Sequence, residues 1–334
     1  MKATITSAIV LSFLFFNTGT QPRMTAAAVP GELPQEAAKP SPRAGHCLVY
    51  DEQLRKVILL DGYQPPYQPE LGEAWAWDGR KWQLLPGSGP IGRFYGAAVY
   101  DLHRKKIISY GGVSYGTRKG FTDDTWQWDG KSWQQLADTS VGTRFLHAMA
   151  YDAAHGKTVL YGGIRPDNSY ITDTSEWDGV KWTQMTVPGP GARSHFAMAY
   201  NSRHKQVVLF GGVGTKSHND TWTWDGKTWQ QVSQEGPPGR VRHAMAFDSR
   251  AGVVLLYGGS VSRTEHAGDL WKWDGQRWTE IKMTGPTPGK RGLHAMAYDA
   301  ARGKTVLYGG KDFTTGKILD DTWEWDGQQW AQVK

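Results

Sequence analysis

Short runs of alternating apolar and polar residues, separated by turn-forming residues, follow one another along most of the chain. In the last stretch, residues 294–299 and 305–310 form two such runs joined by a polar turn. Residues 321–325 and 328–333 form a second pair, joined through Asp326-Gly327. Alternation over four to eight residues predicts strands, and Asp-Gly between two runs predicts a hairpin because both residues accept a positive φ. The stretch therefore predicts four antiparallel strands, which we call a, b, c and d.

This four-strand pattern is repeated six times. An arginine before strand a recurs every 47–51 residues, at Arg43, Arg93, Arg144, Arg193, Arg240 and Arg291. Sheets that are apolar on both faces must stack on one another, and four strands per unit at this period predict propeller blades. We therefore predict an all-β, six-bladed β-propeller with four antiparallel strands per blade, whose blades span residues 42–85, 92–136, 143–185, 192–232, 239–281 and 290–333.

The ring of blades is expected to close without a shared blade. Each unit supplies its four strands in order, so the first blade should pack directly on the sixth. Residues 29–42 remain candidates for an additional edge strand at this closure.

Two further repeated features resemble a known family. Paired glycines end strand b in five units, beginning at Gly111, Gly162, Gly211, Gly258 and Gly309, and a tryptophan begins strand d in all six. Together they resemble the kelch motif, which also occurs in the central domain of galactose oxidase. The resemblance extends over about residues 42–333 and implies the propeller fold. It implies no single function, since kelch propellers include adaptor proteins, sugar-modifying enzymes and oxidases.

The N-terminal residues predict export. Residues 1–28 have the charged, apolar and small-residue regions of a secretory signal peptide, with cleavage after Thr20 or Ala28, and residues 29–41 form an Ala/Pro-rich linker. The apolar region is too short to span a bilayer, so no membrane insertion is expected after signal removal. The mature protein is predicted to be secreted or periplasmic.

Several conspicuous residues are assigned to the scaffold. The 17 tryptophans occupy three repeated positions, which favours packing between blades; Ser175 replaces one of them, as a local cavity or as sequence drift. His46, His147, His243 and His294 share one position and are expected to hydrogen-bond between blades. Cys47, the single cysteine, occupies a position that is alanine in other units and excludes an intramolecular disulfide.

No cofactor or metal is expected. Galactose oxidase-type copper chemistry needs a cysteine-linked tyrosine, whereas Cys47 lies in a packing position, and the iron motif of plant specifier proteins fails because Trp273 stands where histidine is required. The net charge of +6 is spread along the chain without a basic stripe, so no nucleic-acid partner is expected. A monomer is expected.

Functional residues are sought where the repeat varies, on the end of the disc that carries the b–c loops, the d–a loops and the start of strand a. Aromatic residues outside the repeat concentrate there in the first three blades. The predicted ligand-binding residues are Tyr63, Tyr67, Phe94, Tyr95, Tyr115, Phe121, Phe145 and Tyr170, with Arg93, Arg144 and Arg165. Such an aromatic and cationic concavity suits a sugar, a sugar acid or an acidic peptide.

Two functions follow. The first is a non-catalytic binding module that recognises a glycan or protein ligand through this loop face. The alternative is an extracytoplasmic carbohydrate-active enzyme of epimerase, lyase or oxidase type, with its site at the channel mouth and with candidate acid–base groups Glu70, Glu73, Asp123, His147 and Asp167. Two carboxylates, or a carboxylate and a histidine, converging in one pocket would favour the enzyme.

Overall fold

Six four-stranded antiparallel sheets make up the part of the chain that the structure describes. The computed structural model describes residues 39–64, 72–86, 89–90, 92–114, 120–136 and 140–333. Every sheet uses four consecutive strands in chain order, which confirms the predicted six-bladed propeller. The strands, blade by blade, are β1 (Cys47–Asp51), β2 (Lys56–Leu60), β3 (Ala74–Trp77) and β4 (Trp82–Leu84); β5 (Ala97–Asp101), β6 (Lys106–Val113), β7 (Phe121–Trp128) and β8 (Trp133–Leu136); β9 (Ala148–Asp152), β10 (Lys157–Tyr161), β11 (Thr174–Trp177) and β12 (Trp182–Met185); β13 (Ala197–Asn201), β14 (Gln206–Phe210), β15 (Thr221–Trp224) and β16 (Trp229–Ser233); β17 (Ala244–Asp248), β18 (Val253–Ser260), β19 (His266–Trp273) and β20 (Trp278–Ile281); β21 (Ala295–Asp299), β22 (Lys304–Lys311), β23 (Ile318–Trp325) and β24 (Trp330–Val333).

The predicted signal peptide and all of the linker up to residue 38 lie outside the described residues. Within the described part of the chain, no helix has the length and apolar character needed to cross a membrane.

The first strand of each blade lies nearest the propeller axis, where neighbouring first strands contact one another around the ring. Blade 1 packs directly on blade 6: Val57 and Trp77 share an apolar cluster with Val306 and Tyr308. Residues 39–42 form no strand, although the Tyr308 hydroxyl donates to the carbonyl oxygen of residue 40 (2.6 Å). The ring therefore closes by direct blade packing, as predicted.

Tryptophans of strand d join each blade to the one before it. In five blades the indole packs on the aromatic side chain of the preceding strand b, with ring centroids 5.2–5.4 Å apart. In four of these the indole N–H also donates to a threonine hydroxyl of the preceding blade, at 2.8–2.9 Å. The tryptophans thus have the packing role expected from their repeated positions.

The repeated arginines are buried nodes of the same scaffold, 0–2% exposed. Five of them pair with an aspartate near the start of strand c in their own blade, at 2.6–2.9 Å, and Arg43 lies 3.5 Å from Glu73. Each arginine carbonyl oxygen also accepts a backbone N–H from the preceding blade, at 2.8–3.0 Å. Each of these arginines therefore makes an ion pair within its own blade through its side chain and a hydrogen bond to the preceding blade through its backbone.

The first glycine of the strand b pair explains an exception in blade 1. A Cβ at Gly111 would lie 2.7 Å from the carbonyl oxygen of Arg144 and 3.1 Å from the imidazole of His147. Blade 1 carries Asp61 at this position, with φ of 65°. In the next blade, Gly96 occupies the position that His147 occupies in blade 3. The missing imidazole makes room for the carboxyl group, so two departures from the repeat compensate each other.

Burial raises the pKa of Asp61 to about 7, against the opposing charges of Arg93 and Arg43 and with a further upward contribution from Asp124. In the folded protein the Asp61 carboxyl group therefore stays protonated up to about pH 7, whereas in the unfolded chain it loses its proton near its ordinary pKa of 3.8. Since the folded pKa is raised, this side chain stabilises the fold most at low pH, and that contribution is lost as the pH rises towards 7.

We expect Asp61→Asn to leave stability nearly unchanged at pH 4 and to raise the free energy of unfolding by roughly 1–4 kcal/mol at pH 8. Asparagine has the same shape, also tolerates the left-handed conformation, and carries no charge. Urea unfolding followed by tryptophan fluorescence at both pH values measures the difference. An effect of equal size at pH 4 and pH 8 would contradict the assignment.

At the opposite end of the disc, tyrosines of strand a bridge adjacent blades. At four junctions a tyrosine hydroxyl accepts a backbone N–H from the a–b turn of the preceding blade, at 3.0–3.3 Å; Tyr50 accepts from Ala301 in this way. Blade 5 carries Phe247 at the same position, opposite the turn that contains Arg203.

Phe247→Tyr should raise the free energy of unfolding by about 0.5–1 kcal/mol, because the new hydroxyl can accept the N–H of Arg203. Tyr50→Phe is the reverse change, which removes the hydroxyl that accepts the N–H of Ala301, and it should lower the free energy of unfolding by a similar amount. Chemical denaturation of the two variants tests the pair, and the assignment fails if the hydroxyl has no effect in either direction.

Candidate functional site

A closed ring of backbone hydrogen bonds surrounds the propeller axis at the loop-bearing end. One residue per blade, two positions after the repeated arginine, donates its N–H to the carbonyl oxygen of its counterpart in the preceding blade, at 2.8–3.2 Å. All six residues have φ between 57° and 65°. We call them the ring residues: Gly45, Tyr95, Leu146, His195, Arg242 and Leu293.

The ring residues differ in every blade apart from the two leucines, although the arginine before them is invariant. The shared left-handed backbone aims their side chains into one place, since all six line the same central depression of about 140 Å³. Variable side chains on a constant backbone are typical of a recognition surface.

The next position along the chain forms a second layer below the ring, and it also lines the depression: His46, Gly96, His147, Phe196, His243 and His294. Nε2 of His46 donates to the carbonyl oxygen of Tyr308 in the neighbouring blade (3.1 Å), which is the predicted bond between blades. His147, His243 and His294 do not make the predicted bond, since neither ring nitrogen has a hydrogen-bond partner among the described residues; these imidazoles pack edge to face on the strand b aromatic residue of the preceding blade, at 5.7–5.9 Å.

Burial, followed by the nearby repeated arginine, lowers the pKa of His46, His147 and His243 to about 3 and that of His294 well below its usual value. The floor of the depression is therefore neutral at physiological pH. Among the described residues, no group of histidine, cysteine, aspartate and glutamate side chains has an arrangement that could hold a metal ion.

The polar chemistry of the rim comes from blades 2, 4 and 5. The rings of Tyr95 and His195 face each other edge to face at 6.5 Å, and Nδ1 of His195 lies 3.0 Å from the Ser194 hydroxyl. Desolvation, with a contribution from Arg242, lowers the pKa of His195 well below its usual value. Desolvation also lowers the pKa of Arg242, and the nearby Tyr95 and Tyr63 oppose that shift. The rim thus offers an aromatic ring, a neutral imidazole and a guanidinium.

A group of cationic side chains extends the rim over blades 5 and 6. The guanidinium of Arg242 and the ammonium of Lys311 lie 5.3 and 5.6 Å from the centre of the Phe313 ring. The imidazole of His266 stacks on the same ring, with centroids 4.9 Å apart. Two cations, Arg242 and Lys311, thus lie beside the depression in blades 5 and 6, opposite the blades in which aromatic residues outside the repeat are most numerous.

Of the predicted ligand-binding residues that the structure describes, only Tyr95 lines the depression. Tyr63 and Phe94 pack beside it in an apolar cluster with Ala44 and Ile318, 7–8% exposed. The ring of Phe145 packs against that of Phe121, with centroids 5.2 Å apart, and the Tyr170 hydroxyl donates to the carbonyl oxygen of residue 214 (3.3 Å). These aromatic residues chiefly pack the loops that surround the depression.

The three predicted arginines do not meet in the depression. Arg93 and Arg144 are 2% and 1% exposed and pair with Asp124 and Asp173. Arg165 is exposed on its loop, where its guanidinium donates to Ser169 (3.4 Å). Tyr67 and Tyr115 lie outside the described residues.

The candidate acid–base groups are dispersed. Glu73 accepts the indole N–H of Trp75 (3.0 Å), Asp123 accepts from Ser140 (3.2 Å), and Asp167 accepts the backbone N–H of residue 169 (2.9 Å). His147 lines the depression, and Glu70 lies outside the described residues. Within the described part of the chain, no carboxylate lines the depression beside the imidazoles.

Sequence reasoning missed His195 and Arg242, as well as the two leucines of the ring. The signal was available, because the ring position is variable although it lies between the repeated arginine and the position that is histidine in four blades. The predicted aromatic residues and arginines include only Tyr95 among the six ring residues.

Comparisons with known proteins concern the fold. A similar solved structure, titled "Structure of YjhT", has a TM-score of 0.68, covers 89% of this chain and 99% of its own, and is 13% identical in sequence. No protein-family model matches the chain, and no curated protein matches its sequence. At this identity the structural similarity extends to the fold and no further.

We expect His147→Phe to be close to neutral at pH 7.5, because blade 4 already carries Phe196 at this position, and to stabilise the protein by about 2 kcal/mol at pH 5. The lowered folded pKa of His147 means that the unfolded chain binds the proton first as the pH falls below 6.5, which favours unfolding of the unmodified protein. Urea unfolding at the two pH values provides the measurement. Identical losses for both proteins between pH 7.5 and 5 would contradict this mechanism.

Proposed function

We propose that this protein is a secreted, kelch-type propeller that acts as a monomeric binding module and recognises a glycan or protein ligand through its loop-bearing end. The observation that carries the proposal is the ring itself. Six blades hold one residue each in the same backbone geometry, and the sequence varies there, whereas the arginine two positions earlier is invariant and the next position is histidine in four blades.

The size of the depression favours recognition of one terminal group. Cavities of about 150 Å³ accept a molecule of the size of benzene, whereas whole drug-sized ligands occupy about 300–1,000 Å³. A depression of about 140 Å³ therefore suits a single ring or side chain at the end of a longer ligand. The remainder of the ligand would lie across the surrounding loops.

The chemistry of the rim favours a sugar over an apolar side chain. Tyr95 can pack on the face of a sugar ring, while His195 and Arg242 provide hydrogen bonds to hydroxyl or carboxylate oxygens. Lys311 adds positive charge beside the depression, which suits a ligand that carries an acidic group.

A binding role is favoured over acid–base catalysis. Catalysis of this kind needs two groups of different protonation state within reach of one substrate atom. Among the described residues the lining of the depression provides neutral imidazoles and no carboxylate, and the candidate carboxylates accept hydrogen bonds elsewhere. Export rests on the signal-like sequence of residues 1–28.

The test uses exchanges between ring positions. His195→Leu and Arg242→Leu place in blades 4 and 5 the residue that blades 3 and 6 already carry in the same conformation, so the fold should be retained. Probed on glycan and peptide arrays, and then by calorimetry with the best-bound ligand, each variant should bind at least 10-fold more weakly.

Val180→Ala is the control, because Val180 is 77% exposed in an Asp-Gly turn at the opposite end of the disc. It should bind as the unmodified protein does. Unchanged affinity in both leucine variants, with unchanged melting temperatures, would place the ligand elsewhere, and the array itself decides between glycan and peptide.

A further inference from the structure

The a–b turns surround the propeller axis at the end of the disc opposite the central depression. In every blade four residues separate strand a from strand b, so the six turns are equivalent, and all of them lie in the described part of the chain. Their exposed lysine and arginine residues are Arg55, Arg104, Lys105, Arg203, Lys205 and Arg250. Basic residues that are spread along the sequence are thus gathered on one surface by the fold.

The carboxylates of these turns are mostly withdrawn from that surface. Strand a ends on an aspartate in five blades, where it is 0–5% exposed and accepts a backbone N–H of its own turn at 2.9–3.1 Å. Blade 4 carries Asn201 instead, so the turn that contains Arg203 and Lys205 has no carboxylate at all. Glu52 is the single exposed carboxylate of the six turns.

Three of the cations occupy a backbone conformation that favours glycine. The last residue of every a–b turn has φ between 53° and 71°, and blades 3, 5 and 6 carry glycine there. Blades 1, 2 and 4 carry Arg55, Lys105 and Lys205 at this position, with φ of 53–55°. A side chain in the left-handed region has a steric cost that glycine avoids. Basic residues at three such positions therefore point to a role outside folding.

Most of these cations have no counter-charge within the protein. Arg104 lies 2.8 Å from Asp101, whereas the other five exposed cations form no ion pair with a described residue. The c–d turns, which lie at the same end but farther from the axis, carry six aspartates and six basic residues. The excess of positive charge at this end is therefore concentrated around the axis.

Exposed apolar side chains accompany the cations. Leu54 and Leu102 are 37% and 46% exposed, and they are two of only five large apolar side chains with such exposure among the described residues. Both belong to turns that carry a left-handed cation. Charge alone is enough to attract a soluble polyanion, whereas leucines among cations are typical of surfaces that contact the interface of an anionic bilayer.

We propose that the a–b turns form a docking surface for an anionic membrane, in which the cations contact lipid phosphates and the two leucines enter the interface. The contact is peripheral, with no strand or helix inserted. The proposal goes beyond the proposed function and does not depend on it. A propeller docked in this way holds its central depression facing away from the membrane, where a ligand can reach it.

Co-sedimentation of the mature chain with vesicles tests the proposal. Phosphatidylcholine vesicles that contain about one-third phosphatidylglycerol should bind the protein, and vesicles of phosphatidylcholine alone should not. Failure to bind the anionic vesicles, or equal binding to both kinds, would overturn the proposal.

A triple variant, Arg55→Gly with Lys105→Gly and Lys205→Gly, removes the three left-handed cations. It gives blades 1, 2 and 4 the residue that the other blades already carry, so the melting temperature should be retained. Binding to the anionic vesicles should weaken at least about 30-fold, because each basic residue near such a surface contributes severalfold to the affinity. Unchanged binding by the folded variant would contradict the docking surface.

The control variant makes the same change of net charge at the loop-bearing end, through Lys216→Ala, Arg263→Ala and Lys317→Ala, which alter exposed loop residues. It should bind the vesicles as the unmodified protein does. An equal loss in the two triple variants would make net charge the cause and refute a role for the turns. His195→Leu should also bind normally, which separates this surface from the central depression.

Leu102→Ser distinguishes a membrane from an acidic polysaccharide. Blades 4 and 5 carry Ser202 and Ser249 at the same position, so the turn should be retained. The lost apolar contact should weaken vesicle binding by about 3–10-fold, and polygalacturonate, a soluble polyanion, should not displace the vesicles. Unchanged vesicle binding by Leu102→Ser, or displacement by polygalacturonate, would overturn the membrane assignment. This variant also keeps the proposal testable if the glycine variant does not fold.

Discussion

The closed ring of six backbone hydrogen bonds around the axis is the constraint on which the rest of the molecule depends. Each bond requires a residue in the left-handed region, and each is made between two blades, so no blade can satisfy its own ring residue alone. The joint between blades 6 and 1 uses the same bond as the other five, from Gly45 to Leu293 (2.9 Å). Blades 6 and 1 are therefore joined by the same kind of ring hydrogen bond as every other pair of neighbouring blades.

The repeated arginine connects the ring of hydrogen bonds between blades to the interior of its own blade. Its carbonyl oxygen belongs to the joint, and its guanidinium belongs to the aspartate of its own blade, so the two levels of organisation meet in one residue. Burial of such a charge is tolerated because the carboxylate and backbone oxygens surround it. The tryptophans then fill the volume between the joints, in the positions where a large amphipathic ring can pack and donate.

The blades and their closure could be predicted because they rest on features that recur: strand alternation, Asp-Gly turns and the spacing of arginine. The candidate site could be predicted only in outline, since Tyr95 was found by its type while Tyr63 and Phe94 proved to pack the surrounding loops. Arg93 and Arg144 could not be separated from ligand contacts by sequence, because their aspartate partners lie about thirty residues away and become visible only in the folded blade. The compensation between Asp61 and Gly96 could not be predicted either, because the two residues belong to different blades and their proximity is visible only in the folded structure.

The left-handed backbone of the ring also limits how this surface can diversify. The six positions hold glycine, tyrosine, leucine twice, histidine and arginine in one conformation, so the chemistry above the axis can be rewritten one residue at a time without moving a strand. Valine, isoleucine and threonine are disfavoured there, because branching at Cβ conflicts with a positive φ. Each of the six ring positions can therefore be changed independently, by evolution or by engineering, to any residue type that is not β-branched.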